Sequence, residues 1–204
     1  MMLPRRGLYA ITQTGQHAAA TLLDDVAAAI RGGAAVVQYR DKHPTDALAT
    51  ATALVQLCHA HQVPLIINDD IGLAVAVAAD GVHLGRDDGD IAQARAQLGA
   101  AAIIGVSCYN SVDRAVAAQR QGASYVAFGR FFPSASKPLA APASIDSLYH
   151  AKQALQIPIV AIGGILPDNG GALLAAGADL LAVIGGLFDQ QPELAARAYS
   201  ALFA

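Results

Sequence analysis

The sequence predicts an α/β fold, a single (β/α)8 TIM barrel over residues 1–204, and three observations carry that expectation. Eight short apolar runs recur along the chain, stretches of helical periodicity separate them, and each run ends in a polar or glycine cluster. Strands that alternate with helices favour a parallel sheet. Runs that are apolar throughout suit strands buried on both faces. A closed barrel places all of its strand ends on one face, where barrel active sites sit. An open doubly wound sheet is the structural rival, but it gathers ligand groups at one switch point, whereas here all eight ends are equipped.

Taken in order, Leu8–Ile11 ends in Thr12, and Asp24–Ile30 reads as the following helix, closed by Gly32 and Gly33. Ala34–Val37 runs into Gln38, Tyr39, Arg40, Asp41 and Lys42. Thr45 is the expected cap of the next helix, in which Leu48, Ala51, Val55 and Cys58 recur at helical spacing. Leu65–Ile67 leads to Asn68, Asp69 and Asp70, and Gly72 interrupts the helical pattern of Asp70–Ala78. Gly81–Leu84 leads to Gly85, Arg86, Asp87 and Asp88, before a helix over Ile91–Leu98. Ile103–Val106 ends at Ser107 and precedes a helix over Ser111–Gln121. Tyr125–Phe128 ends at Gly129 and Arg130, with Ser144–Leu155 helical beyond it. Ile159–Ile162 and Leu180–Ile184 end in the pairs Gly163-Gly164 and Gly185-Gly186, followed by helices over Asp168–Ala176 and Glu193–Leu202. Gly99, Gly122 and Gly177 follow helical segments and are natural C-cap positions.

Composition narrows the function. The 204 residues lie near the lower limit for eight strand–helix units. Hydrophobic residues make up 54%, enough for a large core, and a charged fraction of 14% argues against disorder. The net charge of -3 supplies no general basic surface for nucleic acid, and the lack of Trp removes one base-stacking platform. Cys58 and Cys108 are the only cysteines, which fits a reduced, cytoplasmic protein better than a disulfide scaffold. The apolar run after Arg5 and Arg6 is too short for a signal peptide, and none reaches the ~20 residues of a membrane span. The expected partners are therefore small molecules, not nucleic acid or membrane, and a homo-oligomer is compatible with this composition.

Gln38, Arg40 and Lys42 occupy alternate positions, so they leave the second strand on one side. An Arg fork, a Lys point charge and a Gln amide suit a polyphosphate; the structural alternative is a surface ion-pair patch with Asp41. Asp69 and Asp88 follow neighbouring strands about 4.8 Å apart, so one carboxylate from each could share Mg²⁺ completed by water and substrate phosphate. Asp70 reads as a helix cap and Asp87 as a solvated side chain. The two glycine pairs suit phosphate held by main-chain N–H groups, or else plain turns. Ser134, Ala135, Ser136 and Lys137 form a polar loop that could close over bound phosphate, or an ordinary surface loop. No His has metal-ligand spacing; His59 and His61 read as helical, and His83 ends a strand run with no expected catalytic role. No nucleophile–His–Asp arrangement is visible, and Ser107 has no base near it in sequence.

Together, Leu8–Thr12, Gln38–Lys42, Asn68–Asp70, Gly81–Gly85 and Ala161–Ile165 resemble the thiamine-phosphate synthase family, in order and at its spacing. Tyr125–Lys137 looks like the branch found in proteobacterial members. The resemblance implies a barrel transferase that joins hydroxymethylpyrimidine diphosphate to a thiazole phosphate, releasing diphosphate. It implies that the segment Gln38, Tyr39, Arg40, Asp41 and Lys42, with Asn68 and Lys137, binds the diphosphate substrate. It places Mg²⁺ on Asp69 and Asp88, the pyrimidine near Ser107, and the thiazole phosphate on Ser134, Ser136, Gly164, Ile184 and Gly185. Arg40, Lys42, Ser107 and Lys137 would carry the catalysis. This chain departs from the family pattern at Arg86 (commonly Gln), at Ser134 and Ser136 (commonly Thr), at Gly185 (often Ser or His) and at Tyr109 (commonly His). The rivals are the thiazole tautomerase branch, which carries His at the position of Arg130 and lacks the paired aspartates, a non-catalytic ligand-binding barrel, and a phosphosugar isomerase or epimerase. The last leaves the Gln38, Arg40 and Lys42 group without a role.

Overall fold

In the computed structural model, which describes residues 1–13, 19–85, 90–133 and 142–204, eight parallel strands close on themselves in sequence order. They are β1 (Gly7–Ile11), β2 (Ala34–Tyr39), β3 (Leu65–Asn68), β4 (Gly81–Leu84), β5 (Ile103–Tyr109), β6 (Tyr125–Gly129), β7 (Ile159–Ile162) and β8 (Leu180–Val183). The barrel is sealed where β1 pairs with β8, Leu8 opposite Leu181 and Ala10 opposite Val183. The helices α1 (Ala19–Arg31), α2 (Ala47–Ala60), α3 (Ile71–Ala76), α4 (Ile91–Leu98), α5 (Val112–Arg120), α6 (Asp146–Ala154) and α7 (Pro167–Ala175) connect successive strands. After β8 come a one-turn helix, α8 (Gly185–Phe188), and α9 (Pro192–Ser200).

Strand alternation divides the core into two layers. Tyr9, Ile11, Val36, Ile66, Ile103, Tyr125 and Leu180 fill the barrel interior. Leu8, Val37, Tyr39, Leu65, Val82 and Leu181 face outward into the layer beneath the helices. Both layers are apolar, which is why the strands read as unbroken apolar runs. Gly105 is required inside: a Cβ there would lie 2.0 Å from Tyr125 Cζ. Cys58 and Cys108 are free thiols buried in the outer layer, and burial pushes both thiols up to about 12.

Several expected boundaries move. Asp46, not Thr45, caps α2, its Oδ1 accepting from Ala49 N–H at 2.9 Å. Asp and Thr both cap well, and the chain settles on the second of the two. The first helix begins at Ala19 instead of Asp24, and α3 is limited to six residues, consistent with the Gly72 interruption. Asp70 does cap α3, accepting from Leu73 N–H at 2.8 Å. Helix α8 was not expected, since four residues are too few to show a period. Among the described residues no helix is long and apolar enough to cross a membrane.

Candidate active site

The inward positions of the strands open at the C-terminal end of the barrel into a cavity of about 880 Å³, within the range of small-molecule sites. Gln38 is the last inward residue of β2, and Arg40 and Lys42 continue its alternation, so all three line the cavity. The Arg40 main chain is pinned to β1: its N–H donates to Thr12 Oγ1 at 3.0 Å, and Thr12 Oγ1 donates to Arg40 O at 3.2 Å. Tyr39 and Asp41 do not line the cavity. Alternation turns Tyr39 outward, where it is buried under the helices at 3% exposure, and Asp41 Oδ1 accepts from His43 N–H at 2.9 Å.

From β3 come Asn68 and Asp69. Asp69 sits at φ 65°, a left-handed conformation that Asp tolerates better than most residues. Its N–H donates to His83 O at 2.8 Å, tying the ends of β3 and β4 together, and its carboxylate accepts from Asn68 Nδ2. Both residues line the cavity. Asp88, expected as the second carboxylate, lies outside the described residues, as do Arg86 and Asp87. Among the described residues no group of three or more His, Cys, Asp or Glu side chains gathers to hold a metal. One carboxylate, that of Asp69, stands at the cavity wall; oxygen is the donor that a hard cation such as Mg²⁺ takes.

Ser107, on β5, faces the cavity, and its carbonyl accepts from Arg114 Nε at 3.0 Å. Its hydroxyl has a partner that sequence reading missed: His83 Nε2 at 2.9 Å. His83 Nδ1 in turn lies 2.9 Å from Tyr125 OH, which shares a 2.7 Å hydrogen bond with Tyr9 OH, and Gln38 Nε2 donates to Tyr9 OH at 3.0 Å. Burial pushes the phenols of Tyr9 and Tyr125 well above the ordinary tyrosine range, so both stay protonated. Strand parity could have found this network. With β4 and β5 adjacent, inward His83 stands opposite inward Gly105, one inward step below Ser107.

On the late strands, Gly163, Gly164, Ile184, Gly185 and Gly186 line the same cavity. Close packing accounts for two of these glycines, Gly163 and Gly164. A Cβ at Gly163 would meet the Arg130 stem at 2.7–2.9 Å, and one at Gly164 would meet Pro133 O at 2.3 Å. The segment after β6 therefore rests on the Gly163-Gly164 main chain. A Cβ at Gly185 would lie 2.5 Å from a carboxylate oxygen of Asp189, a second cavity residue that sequence reading missed. Only the fold brings Asp189 there, at the end of α8. Arg130 faces the mouth of the cavity as expected for a residue ending a barrel strand. Ser134, Ser136 and Lys137 lie outside the described residues.

Residues 8–187 match the family model described as thiamine monophosphate synthase. The chain is 54% identical over 202 residues to a thiamine-phosphate synthase of Azoarcus sp., covering 98% of each chain. It is 52% identical over 195 residues to one of Nitrosococcus oceani, covering 95% of this chain and 90% of the relative. Among solved structures, it superposes on a thiamine phosphate pyrophosphorylase from Pyrococcus furiosus with a TM-score of 0.86 at 30% identity, covering 97% of this chain and 95% of the other.

Proposed function

The chain belongs to the thiamine monophosphate synthase family, and from that premise we propose that it condenses 4-amino-2-methyl-5-hydroxymethylpyrimidine diphosphate with 4-methyl-5-(2-phosphoethyl)thiazole to give thiamine phosphate and diphosphate. It is a transferase, and residues 1–204 act as one catalytic unit in the cytoplasm. The observation that carries the reading is a single cavity with cationic Arg40 and Lys42 on its early-strand wall and glycine main chain on its late-strand wall. A phosphosugar isomerase or epimerase leaves the Gln38, Arg40 and Lys42 group without a role, and the tautomerase branch carries His at the position of Arg130.

In this reading the C–O bond between the pyrimidine methylene and diphosphate breaks, and the bonding pair leaves with diphosphate. The amino-substituted ring stabilises the resulting carbocation, and the thiazole nitrogen donates its lone pair to form the C–N bond. No protein nucleophile is needed. Arg40 and Lys42 neutralise charge on the departing diphosphate, with Gln38, Asn68 and Lys137 orienting it. Asp69, with Asp88, would hold Mg²⁺, which supplies Lewis-acid stabilisation of the diphosphate oxygens when bound. Main-chain groups at Gly164, Ile184 and Gly185, with Ser134 and Ser136, anchor the thiazole phosphate so that its nitrogen meets the cation in line. The carboxylated thiazole phosphate is an alternative acceptor for the same anchor.

Incubation with both substrates and Mg²⁺ should yield thiamine phosphate and diphosphate in equal amounts. Failure of folded protein to form thiamine phosphate would overturn the assignment.

A further inference from the structure

We propose that Gln38, Tyr9, Tyr125 and His83 form a one-way hydrogen-bond chain that aims the Ser107 hydroxyl proton into the cavity, making Tyr9, Tyr125 and His83 positioning residues for a ligand acceptor atom. This rests on the reading above, in which the pyrimidine lies beside Ser107, and adds what that contact is: Ser107 donates, and a ring nitrogen of the pyrimidine accepts.

The amide donor at one end sets the direction we assign. The Gln38 amide nitrogen can only donate, and it donates to Tyr9 OH at 3.0 Å. Between Tyr9 OH and Tyr125 OH, 2.7 Å apart, either oxygen can donate, and in the assigned direction Tyr9 does. Tyr125 then accepts from Tyr9 and gives its own proton to His83 Nδ1 at 2.9 Å. With Nδ1 accepting, the neutral imidazole carries its proton on Nε2 and donates to Ser107 Oγ at 2.9 Å. The serine lone pair on that side is occupied, and its hydroxyl proton turns toward the cavity.

The chain is also held rigidly. Tyr9 and Tyr125 are 1% and 0% exposed and meet edge to face, their centroids 5.8 Å apart. The imidazole stacks at 26° to the Tyr125 ring. Gly105 leaves the space that Tyr125 fills. A buried chain with every hydroxyl and ring nitrogen engaged is the arrangement in which hydrogen bonds polarise one another most.

The direct test is ¹⁵N NMR of the wild-type imidazoles without substrate, with His83 assigned by its loss in His83→Gln. The expected result is a neutral ring protonated on Nε2; a ring protonated on Nδ1 overturns the chain. The functional test is a double-mutant cycle on kcat/KM for the pyrimidine diphosphate. Tyr125→Phe alone should lower it roughly tenfold, the scale of one hydrogen bond, with the KM for thiazole phosphate unmoved. In a Ser107→Ala background Tyr125→Phe should have no further effect, whereas equal losses in both backgrounds would mean that Tyr125 acts only structurally. Wild-type formation of thiamine phosphate with an Nδ1-protonated His83 sinks this inference alone. An Nε2-protonated His83 in an enzyme that makes no thiamine phosphate sinks the proposed function instead.

Discussion

Arg40 and Lys42 reach the cavity from a short stretch pinned by Thr12, so removing either side chain leaves the main chain in place. Arg40→Ala and Lys42→Ala should each lower kcat/KM for the pyrimidine diphosphate by roughly 10²–10³, the scale of removing an electrostatic contact to developing charge. Thiazole phosphate affinity, titrated separately, should change far less; the opposite order would mean that the two phosphate subsites are assigned the wrong way round. Asp69→Asn, which keeps a residue that tolerates the left-handed backbone, should lose most turnover while melting near the wild-type temperature, and excess chelator should silence the wild type. Full activity in chelator would remove Mg²⁺ from the reading. Arg130 separates charge from packing, because its aliphatic stem covers Gly163. Arg130→Met keeps much of that cover, so it should weaken substrate binding with little loss of melting temperature. A fall in stability with unchanged affinity would instead make Arg130 a prop for the segment after β6.

At the level of elements, β5 and β6 can approach only because Gly105 has no side chain. Gly105→Ala would drive a methyl into a fully buried Tyr125 ring, an overpacking cost of about 1–3 kcal/mol, measurable as a lower denaturation midpoint at constant slope. A midpoint equal to wild type would show that Tyr125 can move aside. The strands were legible because burial on both faces leaves an unbroken apolar run, and the inward set of Gln38, Arg40 and Lys42 followed from alternation alone. The same alternation turns the Tyr39 side chain away from that set. The hydrogen bond between His83 and Ser107 was hidden because the two are 24 positions apart and meet only through the register of β4 and β5. Asp189 depends on α8, a turn with no sequence period. At Gly163 and Gly164 a side chain would meet Arg130 and Pro133, a contact that leaves their main chain facing the cavity. Sequence shows that a side chain is missing, but not what fills the space.

Across the whole molecule, barrel architecture separates the end that reacts from the end that stabilises. Asp80 shows the second kind. It stands just before β4, and its side chain is 4% exposed. Its carboxylate accepts from the N-terminal amine at 2.7 Å, from Leu65 N–H at 2.9 Å and from His59 Nε2 at 2.9 Å. Burial alone would raise its pKa, but these hydrogen bonds outweigh burial and leave it below the ordinary carboxylate range. A carboxyl group with a depressed folded-state pKa stabilises the fold fully above its unfolded value of about 3.9, and that contribution fades as pH falls through the folded value. Asp80→Asn should therefore lower the melting temperature at neutral pH, and the gap from wild type should persist down to about pH 5 and narrow at more acid pH. Asp80 does not line the cavity, so kcat and KM of the folded variant should match wild type. Asp69→Asn should behave in the opposite way, keeping its melting temperature and losing turnover. A folded Asp80→Asn enzyme with impaired kcat would show that the two ends of the barrel are coupled, and that strain at the base of β4 reaches His83 and Asp69 along that short strand.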